Sequence, residues 1–300
     1  MNVSAAEIEQ PRMIGARARL AAFIELTKPR IAFMLVLTSA AGFYLGTSGP
    51  FEIVTFLNAM TGITLLAFGV ATLNQFLERR TDILMDRTSR RPVPTGRVTA
   101  NEALVFGVTQ CIVSELYLFF LVNPLTAGLG LIVIVGYVFL YTPLKTVTSA
   151  STAIGAIPGA MPPLMGWTAA SNDITLGAWA LFAMLFLWQF PHFLAIAWMY
   201  RDEYAKAGIK MLPVVEPSGR LTARQIVLFS IMLVPVSLAP FFLQFAGPLF
   251  LIGAILLGVW FIFESVATAR VKTVERARRL LMVTVLYLPL ILVLAVIDHR

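Results

Sequence analysis

One kind of segment repeats along this chain: an apolar run about as long as a bilayer is thick. Nine such runs are legible, at 31–49, 53–77, 102–122, 124–142, 152–169, 174–199, 225–244, 247–266 and 280–297. Roughly 17 to 25 apolar residues carry a helix across the hydrocarbon core. No water there satisfies a free backbone group, so each run must close its own hydrogen bonds as a helix. The expected fold is therefore all-α, a polytopic bundle of nine transmembrane helices. Composition agrees, with 58% hydrophobic and 13% charged residues, against about 25% charged in soluble domains. The run at 152–169 is the least regular. It carries Pro158, Pro162 and Pro163, which kink or break a helix unless neighbours shelter the freed groups.

Lysine and arginine stay on the cytoplasmic side of a multispan protein. With the N-terminus inside, nine alternating spans put 22 of the 23 basic residues in inner segments and only Arg300 outside. The outer connections T-S-G-P-F-E, V-N-P, T-A-A-S-N-D-I and Q-F-A-G-P contain none. The net charge of +7 thus reports topology and attraction to anionic membrane lipid, and not nucleic-acid binding. Residues 1–30, with Glu7, Glu9, Arg12, Arg17 and Arg19, lack the compact apolar core and cleavage site of a signal peptide. They read as a cytoplasmic N-terminal segment ahead of a single transmembrane domain, 31–300. The expected location is a bacterial or archaeal plasma membrane. Cys111, the only cysteine, excludes an internal disulfide and reads as a packing residue.

The charges are concentrated. Residues 74–92, N-Q-F-L-E-R-R-T-D-I-L-M-D-R-T-S-R-R-P, hold five acids or amides and five arginines. Asn74, Glu78, Asp82 and Asp86 recur every four residues, which on a helix advances each by about 40° and 6 Å. Three successive members share a face, an oxygen-rich shelf suited to Mg²⁺. The alternative is a solvated helix end whose acids pair with Arg79, Arg80, Arg87 and Arg90. A second acidic segment, R-D-E-Y-A-K-A-G-I-K-M-L-P, follows the sixth run, and P-T-G-R-V-T at 94–99 is echoed by P-S-G-R-L-T at 217–222. The two inner loops, 74–99 and 201–222, thus read as a parallel pseudo-repeat four spans apart.

Mg²⁺ alone explains neither the second segment nor Lys145, whereas a diphosphate calls for several cations. Arg87, Arg90, Arg91, Lys145 and Lys206 are the expected diphosphate ligands. Asp202 and Glu203 join Asn74, Glu78, Asp82 and Asp86 as expected metal ligands. In Y-T-P-L-K, Tyr141 lies four residues before Lys145, which can bring a hydroxyl and an ammonium together.

These residues resemble the UbiA superfamily of intramembrane prenyltransferases and, within it, the protoheme IX farnesyltransferase branch. The family pattern is matched by Asn74, Glu78 and Asp82 and by the pair Tyr141 and Lys145. The branch is matched by L-T-K-P-R-I at 26–31, E-R-R-T-D-I-L-M-D-R-T-S-R-R-P at 78–92, G-A-I-P-G-A-M-P-P-L-M-G-W at 155–167 and W-Q-F-P-H-F at 188–193. One departure stands out. Quinone-directed relatives place an aspartate four residues before the glycine of the second motif, where this chain has Tyr204 before Gly208.

The resemblance implies a central cavity open toward the cytoplasm and sideways toward lipid. It also implies transfer of the farnesyl group of farnesyl diphosphate to a vinyl group of heme b, with Mg²⁺ on the leaving diphosphate and Asn74, Glu78, Asp82, Tyr141 and Lys145 as the catalytic set. A heme-modifying enzyme or an oxidase-assembly factor is the implied downstream partner. Trp188, Phe190 and Phe193 could face a carbocation. His192, inside the sixth run, either binds heme or makes a structural hydrogen bond. Glu115, inside the third, invites a functional role and could bond Gln110 or Gln189. Two rival activities remain at this stage: prenylation of a quinone precursor such as 4-hydroxybenzoate, and transport of an anion.

Overall fold

The computed structural model describes residues 14–300; Glu7, Glu9 and Arg12 lie outside that range. Eight helices among the described residues are long and apolar enough to cross a membrane. The first is α2 (Pro29–Gly46), preceded by the short α1 (Ala16–Leu26). Next come α3 (Ile53–Asp82), α4 (Ala100–Leu121) and α5 (Pro124–Leu144). After the broken crossing described below follow α8 (Leu176–Met199), α11 (Arg220–Phe242), α12 (Pro248–Val271) and α13 (Val274–Ile297). Two short helices, α9 (Arg201–Lys206) and α10 (Leu212–Val215), lie between α8 and α11.

The fifth expected span, 152–169, is not one helix. It divides into α6 (Ser151–Gly159) and α7 (Met161–Ser171), separated by Ala160. Pro162 and Pro163 fall in the first turn of α7, where the missing N–H groups would have had no intrahelical acceptor. The pair sits inside the protein, with Met161 through Ala169 all buried, as broken helices at membrane depth must be. Counted as one crossing, it gives an odd number. Lys28 and the C-terminal residues accordingly lie at opposite ends of the bundle: α2 starts beside Lys28 and finishes near Tyr44, whose ring lies 5.4 Å from that of His299.

Small residues bring the helices together. Gly62 faces Leu118, and Gly69 faces Cys111, which confirms that thiol as a buried packing group. Ser114 Oγ donates to the Gly62 carbonyl at 2.9 Å. Across the α2–α7 contact, a Cβ on Gly42 would collide with the Pro163 backbone and one on Gly166 with the Ser39 carbonyl. Such close backbone approach is how helices associate where lipid offers no hydrophobic drive. The outer faces carry exposed Phe120, Leu256, Val259 and Phe263.

A 30-residue helix is about 45 Å long, well beyond the roughly 30 Å hydrocarbon core. The last turns of α3, bearing Asn74, Glu78 and Asp82, therefore emerge at the charged end. The echoed loops share one backbone feature, a left-handed glycine at Gly96 (φ +69°) and Gly219 (φ +68°). Their helices then start differently. Thr99 caps α4 reciprocally with Glu102, whereas α11 begins directly after Gly219.

Candidate active site

A cavity of about 860 Å³ runs from the charged end into the bundle, a size typical of ligand sites. Asn74, Glu78 and Asp82 line it together with Lys28, Arg87, Arg91, Tyr141 and Lys145. Deeper, its wall is apolar, including Ile63, Leu66, Met165 and Leu185, and it reaches Trp188 and His192. Exposed Ile31 and Leu37 on α2 and exposed Val293 and Ile297 on α13 also line it, so the cavity opens sideways between those helices.

Asn74, Glu78 and Asp82 on α3 each meet a cation from a different segment. Lys28 Nζ donates to Asn74 Oδ1 at 2.7 Å. Lys145 Nζ donates to Glu78 Oε1 at 2.6 Å. Arg91 Nη1 donates to Asp82 Oδ1 at 2.8 Å and Oδ2 at 2.7 Å, and lies 3.7 Å from Glu78 Oε2. The partners of these acids are thus Lys145 and Arg91, and not the arginines nearest in sequence. Arg79 instead donates to the Phe76 carbonyl at 2.8 Å and sits over the Phe76 ring.

The local chain explains this placement. After α3 ends at Asp82, Thr88 Oγ1 donates to the Asp82 carbonyl at 2.9 Å and curls the loop back, delivering Arg91 to the carboxylate nine residues behind it. Lys28 occupies the left-handed region, φ +49°, between α1 and α2; non-glycine residues held there cluster at functional sites. Gln75 Nε2 fixes that turn by donating to the Leu26 carbonyl at 2.9 Å. On α5, residues Val135–Tyr141 form a π-helical segment just before Pro143, a local form frequent at functional sites. It sets the Tyr137 and Tyr141 rings 4.9 Å apart. Lys145 Nζ lies 4.2 Å from the Tyr141 ring centroid, so this pair meets through the ring face and not through the hydroxyl.

Two carboxylates face Lys28, Arg87, Arg91 and Lys145, which leaves an excess of positive charge at the mouth. Burial lowers the Lys28 pKa to about 7, with Arg91 acting in the same sense. Burial also penalises the Lys145 ammonium, yet Glu78 and the two tyrosines hold its pKa well above the usual lysine value. Buried ion pairs return little net stability, so this concentration of charge reads as function and not as a folding device.

Five expected site residues lie elsewhere. Helix α3 stops at Asp82, which breaks the four-residue period, and Asp86 is exposed in the turns that follow. Arg90 is exposed and offers its carbonyl to Arg97 at 2.7 Å. The Asp202 side chain is 89% exposed beside Arg201. Glu203 accepts from the Arg87 backbone N–H at 3.2 Å, outside the cavity lining. Lys206 is exposed. From this second segment it is Tyr204 that is buried against the cavity, its hydroxyl accepting from Arg87 Nη2 at 3.4 Å.

Lys28, Tyr137 and Tyr204 are site residues to which sequence reasoning gave no role. A lysine directly before the proline that opens a span was the available signal for Lys28. Phe190 is buried and stacks on Phe229 at 3.7 Å, off the cavity, whereas Trp188 and Phe193 line it. Both Glu115 oxygens are buried with no hydrogen-bond partner among the described residues, and the carboxylate packs against Gly130. Gln189 donates to the Ala156 carbonyl at 2.9 Å and does not serve Glu115.

The oxygens of Asn74, Glu78 and Asp82 are hard donors that suit Mg²⁺, which keeps waters and phosphate oxygens in its remaining positions. Among the described residues no group of three or more His, Cys, Asp or Glu could enclose a metal ion. The set fits an ion shared with a phosphorylated ligand. Asp202 and Asp86, both solvent-facing, add nothing to it.

A shelf of acids and cations at the mouth of one long apolar cavity, within a bundle of bilayer-length helices, is the architecture of an intramembrane prenyltransferase. The chain belongs to the UbiA prenyltransferase family, whose sequence profile matches residues 35–294. It is 49% identical over 286 residues to the protoheme IX farnesyltransferase of Solibacter usitatus, covering 92% of this chain and 98% of that one. Its fold superposes with a TM-score of 0.79 on a digeranylgeranylglyceryl phosphate synthase, at 16% identity, covering 93% of this chain and 98% of that one. It superposes with a TM-score of 0.65 on a UbiA homolog from Archaeoglobus fulgidus bound to GPP and Mg²⁺, at 16% identity, covering 91% and 99%.

Proposed function

We propose that this chain transfers the farnesyl group of farnesyl diphosphate to a vinyl group of heme b, at a site opening on the cytoplasmic face of a cell membrane. The observation that carries the reading is the continuity of one cavity. Its mouth holds the acid and cation cluster, its wall is apolar, and its depth presents Trp188 and His192. The identity with the Solibacter farnesyltransferase along nearly the whole of both chains supports the same acceptor.

In this reading Lys28, Arg87, Arg91 and Lys145 bind the diphosphate, and Arg91 can offer two parallel N–H groups to one phosphate. Asn74, Glu78 and Asp82 would hold Mg²⁺, which when bound would supply charge stabilisation for the leaving diphosphate. The C1–O bond of farnesyl diphosphate breaks with both electrons leaving on the diphosphate. Lys145 and Arg91, released from Glu78 and Asp82 when the diphosphate binds, would turn their ammonium and guanidinium groups to that position and stabilise the new charge. The ring faces of Tyr137, Tyr141, Trp188 and Phe193 suit the allylic cation. The terminal vinyl carbon bonds to C1, and water adds to the inner carbon and loses a proton, leaving a hydroxyethylfarnesyl group.

Incubating the purified protein with farnesyl diphosphate, Mg²⁺ and either heme b or 4-hydroxybenzoate, with mass spectrometry of the products, tests the reading. Farnesylated heme supports it. A farnesylated benzoate with heme untouched overturns it.

A further inference from the structure

His192 sits on α8, about 10 Å of helix rise from Met199 and so deeper than the charged mouth. Its Nδ1 lies 2.8 Å from Thr284 Oγ1 on α13. The single hydroxyl proton of Thr284 has a better destination, because Oγ1 donates to the Leu281 carbonyl at 2.7 Å. The hydroxyl oxygen must then accept from the imidazole, which puts the ring proton on Nδ1 and leaves the lone pair on Nε2. That nitrogen has no hydrogen-bond partner among the described residues. It is not among the sealed polar atoms, and its ring lines the cavity.

Thr284 also fixes the neighbouring aromatic. Its backbone carbonyl accepts from Trp188 Nε1 at 2.8 Å, and the Trp188 and His192 rings stack with centroids 4.6 Å apart and an interplanar angle of 21°. The ring is thus held on one nitrogen and over one face, and the second nitrogen is open. Thr284 itself is fully buried and does not line the cavity. It acts only through its two neighbours.

We infer that Thr284 is a positioning residue that locks His192 with its Nε2 lone pair toward the cavity, so that Nε2 ligates the iron of a metalloporphyrin substrate. The inference rests on the reading of heme as the acceptor. A ligating histidine generally donates its other ring N–H to a fixed acceptor, and loss of that partner weakens metal binding by about 10- to 100-fold.

The test is titration of the purified full-length protein with ferric heme b, read by optical and electron paramagnetic resonance spectra. Wild type and Thr284→Ser should give a histidine-ligated signature. Thr284→Val should bind about tenfold or more weakly with an altered signature, while its KM for farnesyl diphosphate stays unchanged. His192→Ala should lose the signature, and added imidazole should restore it. A Thr284→Val spectrum and affinity matching wild type overturn the positioning role, as does a Thr284→Val protein that also loses farnesyl diphosphate binding. An unchanged spectrum in His192→Ala overturns ligation and leaves the farnesyl transfer reading intact. Failure of the wild type to farnesylate heme overturns that reading itself.

Discussion

Lys145 and Glu78 meet at 2.6 Å although 67 residues separate them in sequence. Their contact ties α5 to α3 at the mouth of the cavity, where Arg91 approaches the same carboxylate from the other side at 3.7 Å. One acid is thereby shared between two cations that face a common space.

Lys145→Ala removes one of those cations and leaves Glu78 with Arg91 alone. The expected result is a higher KM for farnesyl diphosphate with a fall in kcat, together about a hundredfold in kcat/KM. Steady-state kinetics with heme b as acceptor measure it. Unchanged kinetics would make Lys145 an interfacial anchor.

Asp82→Asn keeps the shape of the fully buried side chain but removes its charge opposite Arg91. Turnover should fall by about a hundredfold or more, and Mn²⁺ bound in the presence of a farnesyl diphosphate analogue should be lost from the paramagnetic resonance signal. The helical spectrum should persist.

Lys28→Ala and Asp202→Asn separate the observed site from the one expected by sequence. Lys28 holds Asn74 at 2.7 Å inside the cavity, whereas the Asp202 side chain is 89% exposed. Lys28→Ala should weaken farnesyl diphosphate binding at least tenfold, in line with loss of a charge-assisted contact. Asp202→Asn should remain near wild type, and a severe loss there would restore a second acidic metal site.

Gly166→Ala tests the packing of the broken crossing. A methyl group there runs into the Ser39 carbonyl, and overpacking of a tight interface costs about 1 to 3 kcal/mol. A lower thermal unfolding temperature in detergent is expected, and an unchanged one would mean that α2 and α7 can part without penalty.

Periodicity and length made the membrane-crossing helices legible, and the distribution of lysine and arginine made their ends legible. The break at Ala160 was signalled by its prolines, but whether the pieces would remain buried depends on Gly42, Gly46 and Gly166 meeting across helices, which local sequence does not encode. The oxygen shelf was legible for Asn74, Glu78 and Asp82 because one helix carries all three. It failed at Asp86 because the four-residue rule ends where α3 ends. The cations were harder, since Lys28, Arg91 and Lys145 arrive from three segments, and only the folded loops decide which acid each one meets. In the second loop, Tyr204 faces inward and Asp202 outward, a choice of helix face that a six-residue helix leaves to tertiary packing.

The central claim is that one diphosphate is gripped between the α3 oxygens and the cations of three other segments. An experimental structure with farnesyl thiodiphosphate and Mn²⁺, the metal located by anomalous scattering, tests it most directly. The account predicts the metal on Asn74, Glu78 and Asp82, with the phosphates on Lys28, Arg91 and Lys145. A diphosphate seated on Asp202 and Lys206 at the surface, with the α3 cluster still paired to its own cations, would contradict it.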